Sequence, residues 1–186
     1  VVGGDHSTPL GYYRALAKEH AHFGILHIDA HMDLRIAYEG FQYSHASVMY
    51  NALQIENINK LVQVGIRDFC AQEQEVVDSQ GERVKVFTDF SLQSKTFEGE
   101  NWKSICDEIV ALLPEKIVIS FDIDGLDATL CPNTGTPVPG NRTRSWRKRG
   151  RRGRGDRPVL LAPGARAGAR LRPPDRAQRR PGHADR

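Results

Sequence analysis

Three short stretches of this chain carry side chains whose types and spacing could do hydrolytic chemistry with metal ions. D-A-H-M-D (29–33) sets carboxylate, imidazole and carboxylate at alternate positions: Asp29, His31 and Asp33. I-V-I-S-F-D-I-D (117–124) ends in Asp122 and Asp124, again two apart. His6 follows two glycines near the start. In extended backbone, residues two apart share a face. Each run would then present its polar atoms together, with Phe121 and Ile123 turned the other way into apolar packing. Four carboxylates in one place repel one another and lose solvation. Divalent cations remove that difficulty, because four carboxylates and two imidazoles could neutralise and bridge two of them. Oxygen and nitrogen donors without thiolate favour Mn2+, with Zn2+ and Fe2+ as alternatives. Taken singly, each motif has a plainer reading: a solvated turn, a strand end with two exposed acids, a histidine flanking a helix. Their joint occurrence, each at a predicted strand end, points to a site.

The elements that must position these residues can be read from pattern. Val1-Val2 reads as the end of a first strand, and Gly3-Gly4 allows a tight backbone approach. Ser7 is expected to cap a helix over Thr8–Glu19, with Pro9 in its first turn. Strands are predicted at Phe23–Asp29, Lys60–Ile66, Val84–Phe87 and Lys116–Asp122. Helices are predicted from Ser47 to about Leu53, over Ala71–Gln80 with Gly81 ending it, and over Trp102–Leu113 before Pro114. Strands separated by helices imply an α/β fold with a mostly parallel sheet covered on both faces. Ligands in such sheets bind beyond the C-terminal strand ends, where His6, Asp29, His31, Asp33, Asp122 and Asp124 are expected.

With those elements in place, G-G-D-H-S (3–7), D-A-H-M-D (29–33) and S-F-D-I-D-G-L-D (120–127) resemble the three signature motifs of the ureohydrolases: arginase, agmatinase, formimidoylglutamase and relatives. T-G-T-P-V-P-G (134–140) resembles the segment that follows the third motif, so the resemblance covers residues 1–140. It implies a three-layer αβα, arginase/deacetylase-like fold, incomplete at both ends, and a centre of two Mn2+ ions. By resemblance, His6, Asp29, Asp33 and Asp122 would hold one ion. His31, Asp29, Asp122 and Asp124 would hold the other, with Asp29 and Asp122 bridging and Asp127 structural. Two dications sharing a water supply hydroxide at neutral pH. Its attack on a guanidinium carbon would lead through a tetrahedral intermediate to urea and a protonated amine. Asp33 could hold the nucleophile in line. His45, in Y-S-H-A-S, is similar to the family histidine in the matching place and could carry the proton. The plainer reading of His45 is a local hydrogen bond at a helix start.

The segment 33–47 resembles agmatinases more than arginases. Arginases place Asn and Ser after the second motif to grip an α-carboxylate, where this chain has Leu34 and Arg35. They also place a second Asp two positions past that of G-I-R-D (65–68), where this chain has Cys70. The expected substrate is therefore agmatine, hydrolysed to putrescine for polyamine biosynthesis. Arg35 leaves an acidic substrate such as formiminoglutamate open. Arginase activity and a truncated, non-catalytic metal-binding remnant are the other readings. The resemblance further implies homo-oligomers, trimers or hexamers, in full-length relatives.

The 186 residues are 39% apolar and 26% charged, ordinary values for a globular protein. No apolar run approaches the ~18 residues of a membrane span, and no membrane partner is expected. Three scattered cysteines suggest reduced thiols and a cytoplasmic location. The chain does not open on Met, so a missing natural N-terminus is expected. Its net charge of +3 joins two unlike parts. Residues 1–140 carry ten Lys and Arg against twenty Asp and Glu, and residues 141–186 carry sixteen against three. The tail is rich in Arg, Pro and Gly and has no hydrophobic periodicity. It could be a nucleic-acid arm, a disordered extension or a translation shifted out of frame. The shifted frame is favoured because the break falls inside a motif, which makes a nucleic-acid partner unexpected. On that reading the chain lacks outer strands and a later substrate-clamping acid, and weak or absent activity is expected of it. Reading the nucleotides around codon 140 in all frames tests this.

Overall fold

Runs of β-branched and aliphatic residues become four parallel strands in the computed structural model, which describes residues 1–140. The basic segment 141–186, and every expectation about it, lies outside the described residues. The strands are β1 (Phe23–Ile28), β2 (Ile58–Ile66), β3 (Val84–Thr88) and β4 (Ile117–Phe121), in the order β3-β2-β1-β4. Five helices connect or flank them: α1 (Pro9–Glu19), α2 (Val48–Leu53), α3 (Ala71–Gln80), α4 (Asp89–Phe97) and α5 (Trp102–Ala111). Successive strand residues point to opposite faces. Leu61 therefore joins one core with Tyr13, Ile25 and Met49, under α1, α2 and α3. Val62 joins the other with Leu92, Ile105 and Ile109, under α4 and α5. The result is the expected three-layer αβα arrangement. Among the described residues, no helix is long and apolar enough to cross a membrane.

Several local expectations are corrected. Val1 and Val2 form no strand and lie exposed, since no strand of the sheet hydrogen-bonds to them. Ser7 does not cap α1; Thr8 occupies the cap position without a side-chain cap bond, and its hydroxyl donates instead to the Asp5 carbonyl. Of the two glycines, Gly3 is the one with no room for a Cβ, which would meet Thr8 Oγ1 at 2.6 Å. No helix is predicted between Phe87 and Trp102, yet α4 forms there, its start fixed by Thr88 Oγ1 accepting the Ser91 amide at 3.1 Å. Phe121 and Ile123 do not turn into apolar packing: they are 44% and 49% exposed. The reason is topological. β4 is an edge strand among the described residues, and the core beneath α4 and α5 is built on β2 and β3.

Candidate metal centre

The polar residues do meet at the C-terminal strand ends, but not by extended alternation. β1 ends at Ile28, and the chain then turns. His31 bridges to Asp68 beyond β2. Asp33 takes a left-handed conformation, φ 54°, which costs energy in a non-glycine residue. The first turn of α2 holds it there, the Met49 and Tyr50 amides donating to the Asp33 carbonyl at 3.0 and 3.2 Å. After β4, Asp122 donates its amide to Ile28 O at 2.9 Å, and a 3-10 turn follows over Ile123–Gly125. Asp122 Oδ1 accepts the Asp124 amide at 3.0 Å. Gly125 packs so closely that a Cβ would lie 3.1 Å from the Asp29 Cα and amide nitrogen. Two strand ends are thereby pressed together. His6 arrives from the turn before α1, where Asp5 Oδ1 accepts the Ser7 amide at 2.8 Å.

Around His6 Nδ1 stand Asp33 Oδ2 at 2.9 Å, Asp29 Oδ2 at 3.1 Å and Asp122 Oδ2 at 3.2 Å. None of them meets Nδ1 in hydrogen-bonding alignment, so it is a buried polar atom without a hydrogen-bond partner. A second group faces the other oxygen of Asp29. His31 Nδ1 lies 3.4 Å from Asp29 Oδ1 and 3.2 Å from Asp124 Oδ2. Asp29 thus turns one carboxylate oxygen to each group. Bonds of about 2.1 Å to an octahedral dication put neighbouring donors about 3 Å apart, and the imidazole-to-carboxylate distances here fit that spacing. Asp122 stands with the first group; its other oxygen is engaged by the Asp124 amide.

The electrostatics follow from this crowding. Burial opposes a charged His6, but Asp29 and Asp33 beside it outweigh burial and push its pKa up to about 10. Asp124 and Asp29 push His31 up to about 10 as well. Burial favours a protonated Asp29, yet His27, His31 and His6 hold it well below the usual carboxylate range. Asp33 and Asp122 go the other way, raised chiefly by burial and also by the neighbouring Asp29.

Sequence reasoning missed the residues that support these donors. Gln63, His27 and Ser120 sit side by side on β2, β1 and β4, a buried polar row one level below the centre. Ser120 Oγ lies 2.9 Å from His6 Nε2, which leaves Nδ1 facing the carboxylates. His27 Nε2 lies 2.8 Å from Asp29 Oδ2. His27 belongs with His6, Asp29 and Asp33 to one set of groups able to hold a metal ion, and Asp29, His31 and Asp124 form another. Thr136 donates to Asp124 Oδ2 at 2.9 Å. The available signal was a polar residue inside an apolar run: His27 in β1, Gln63 between Val62 and Val64 in β2, and Ser120 in β4.

The centre opens into a cavity of about 380 Å³. His45 lines it, its Nδ1 3.8 Å from Asp5 Oδ2 and its ring edge-on to Tyr38. Arg35 also lines it, but the guanidinium lies over the Tyr38 ring, and its Nε is 3.8 Å from the buried Glu73 carboxylate. Asp5 and Asp68 form an exposed acidic rim.

The family model of the arginase family matches residues 1–145. The chain is 36% identical over 139 residues to N(1)-aminopropylagmatine ureohydrolase of Thermus thermophilus, covering 75% of this chain and 44% of that protein. It is 31% identical over 151 residues to guanidinobutyrase of Pseudomonas aeruginosa, covering 76% and 44%. Among solved structures, proclavaminate amidinohydrolase from Streptomyces clavuligerus superposes with a TM-score of 0.63 at 30% identity, over 75% of this chain and 44% of the other. Arginase from Medicago truncatula gives 0.63 at 30%, over 75% and 42%. The chain therefore spans less than half the length of the curated relatives it matches. With its motifs at the ends of β1 and β4 and a family match over most of its length, the chain belongs to the arginase family.

Proposed function

We propose that this chain is part of a binuclear manganese ureohydrolase that hydrolyses the guanidino group of agmatine to urea and putrescine. The observation that carries the reading is His6 Nδ1, buried without an aligned hydrogen bond and with three carboxylate oxygens within 3.2 Å. His6, Asp29, Asp33 and Asp122 would hold one Mn2+, and His31, Asp29, Asp122 and Asp124 the other. Ions there would offset the carboxylate charge and lower the pKa of a shared water. The chain's own groups do the rest. The Asp33 carboxylate accepts a hydrogen bond from the attacking water and fixes its direction. His45 Nδ1 faces Asp5, which leaves Nε2 to hand a proton to the departing amine.

The acidic rim of Asp5 and Asp68 favours a substrate whose far end is an amine. Arg35 would favour a guanidino acid, but its charge is already met by Glu73 and Tyr38. Guanidinobutyrase and proclavaminate amidinohydrolase among the relatives make this contrast worth measuring. The same reading gives the chemistry to residues 1–140 and none to 141–186, and it gives the full-length protein a cytoplasmic location and a trimeric or hexameric assembly. The test is urea release by the full-length protein with Mn2+ and agmatine, arginine or 4-guanidinobutyrate. Highest kcat/KM on agmatine is expected. Faster turnover of arginine overturns the substrate assignment, and no urea from any of the three leaves a non-catalytic metal-binding protein.

A further inference from the structure

We propose that Gln63 locks His27 as a hydrogen-bond donor to Asp29 and thereby withholds His27 from the metal ions. The inference rests on the metal-centre reading above. By position His27 could be a ligand, since its ring nitrogen lies within reach of His6, Asp29 and Asp33. Hydrogen-bond logic says otherwise. Gln63 Nε2 lies 2.7 Å from the Met32 carbonyl oxygen and 2.9 Å from His27 Nδ1. The Met32 carbonyl can only accept, so the amide nitrogen must face it. A flipped amide would set two acceptor oxygens against each other. The second hydrogen of the same nitrogen points at His27 Nδ1, which must then accept. A ring that accepts at Nδ1 carries its hydrogen on Nε2, and Nε2 faces Asp29 Oδ2 at 2.8 Å. With a hydrogen there, Nε2 has no lone pair to offer an ion.

His27 and Gln63 are fully buried, and the pairing of β1 with β2 sets them directly side by side. Gln63 Oε1 is buried without a hydrogen-bond partner. The flip that would move it meets the Met32 carbonyl, so the orphaned oxygen is a consequence of the lock. What the lock accomplishes is read at Asp29. Oδ2 accepts from His27, and Oδ1 accepts the His31 amide at 2.7 Å. One donor on each oxygen fixes the carboxylate plane, so Asp29 is aimed at both groups before any ion arrives. His27 and Gln63 are positioning residues in this account, one and two steps removed from the metal.

The full-length protein, labelled with 15N-histidine and loaded with diamagnetic Zn2+, gives the direct test. The His27 ring should carry its proton on Nε2, with Nδ1 bare. Calorimetric Mn2+ titration should show affinity about 10–100-fold weaker in His27→Leu and close to wild type in His27→Gln, whose amide returns an N–H near the position of Nε2. A His27 ring protonated on Nδ1, or bonded to Zn2+, overturns the proposal whether or not the variants fold. Wild-type affinity in His27→Leu does the same. Wild-type protein that takes up neither ion overturns the metal reading itself, and that result is obtained before any variant is made.

Discussion

At the scale of single residues, His6, Asp29 and Asp124 are each paired with a support in Ser120, His27 and Thr136, and His45 stands apart from all of them. It touches none of the metal-facing atoms; its neighbours are Asp5 and Tyr38 at the cavity wall. A proton carrier there should therefore be separable from metal binding. His45→Asn is expected to lower kcat for agmatine by about 10²-fold or more while Mn2+ stoichiometry stays at the wild-type value. Parallel steady-state kinetics and metal analysis check this, and loss of metal together with rate would make His45 a structural residue. The gathering of His6, Asp29, His31, Asp33, Asp122 and Asp124 was legible in the sequence because Asp and His at strand ends are few and fall in tight motifs. Their supports were not. His27, Gln63 and Ser120 look like isolated polar residues in apolar runs until the register of three strands puts them in one row. Nor does spacing reveal that Asp33 adopts a positive φ, because that is imposed by the amides of α2, a separate element.

Among the elements, the strands were readable from their apolar runs, α5 from its helical spacing, α3 from helix-prone residues stopped at Gly81 and α1 from Pro9 in its first turn, and α2 was expected near Ser47–Leu53. α4 was not, because its start is set by the cap at Thr88. The loop that follows β4 is held by something equally invisible to pattern. Arg67, just beyond β2, donates to the backbone carbonyls of Gly65, Asp124, Gly125, Leu126 and Val138 at 2.7–3.4 Å. Asp127 closes the same loop, accepting the Thr129 and Gly140 amides. A guanidinium fork can serve several carbonyls at once, whereas an ammonium on a flexible stem cannot. Arg67→Lys should therefore cost about 2 kcal/mol. For a protein of this size that is a fall of roughly 4–8 °C in the thermal midpoint. Scanning calorimetry measures it. Because Asp124 and Thr136 ride on this loop, Mn2+ affinity should fall as well, and an unchanged midpoint would mean the loop is held by other contacts.

Across the whole molecule, the centre joins the turn before α1 to the ends of β1 and β4, so its charge state bears on global stability. Consider the protein without ions. His6 and His31 are pushed up to about 10 when folded, against about 6.5 when unfolded. Folding then favours the protonated imidazoles. Their contribution is fully present below about pH 6.5, declines above it, and is gone once pH passes about 10. Metal ions need the bare nitrogen, so protons compete with them over that same window, less strongly as pH rises. Both effects have one sign. Metal-stripped protein should melt at a lower temperature at pH 8.5 than at pH 7, while the gain from a fixed Mn2+ concentration should grow. At about 100 times Kd, Mn2+ should add about 2.7 kcal/mol, a rise of roughly 5–10 °C. Thermal melts with EDTA and with Mn2+ at both pH values measure all of this. A stripped protein that gains stability between pH 7 and 8.5 would show that the two histidines are not held as imidazolium by Asp29, Asp33 and Asp124. The centre would then have to form only as the ions arrive.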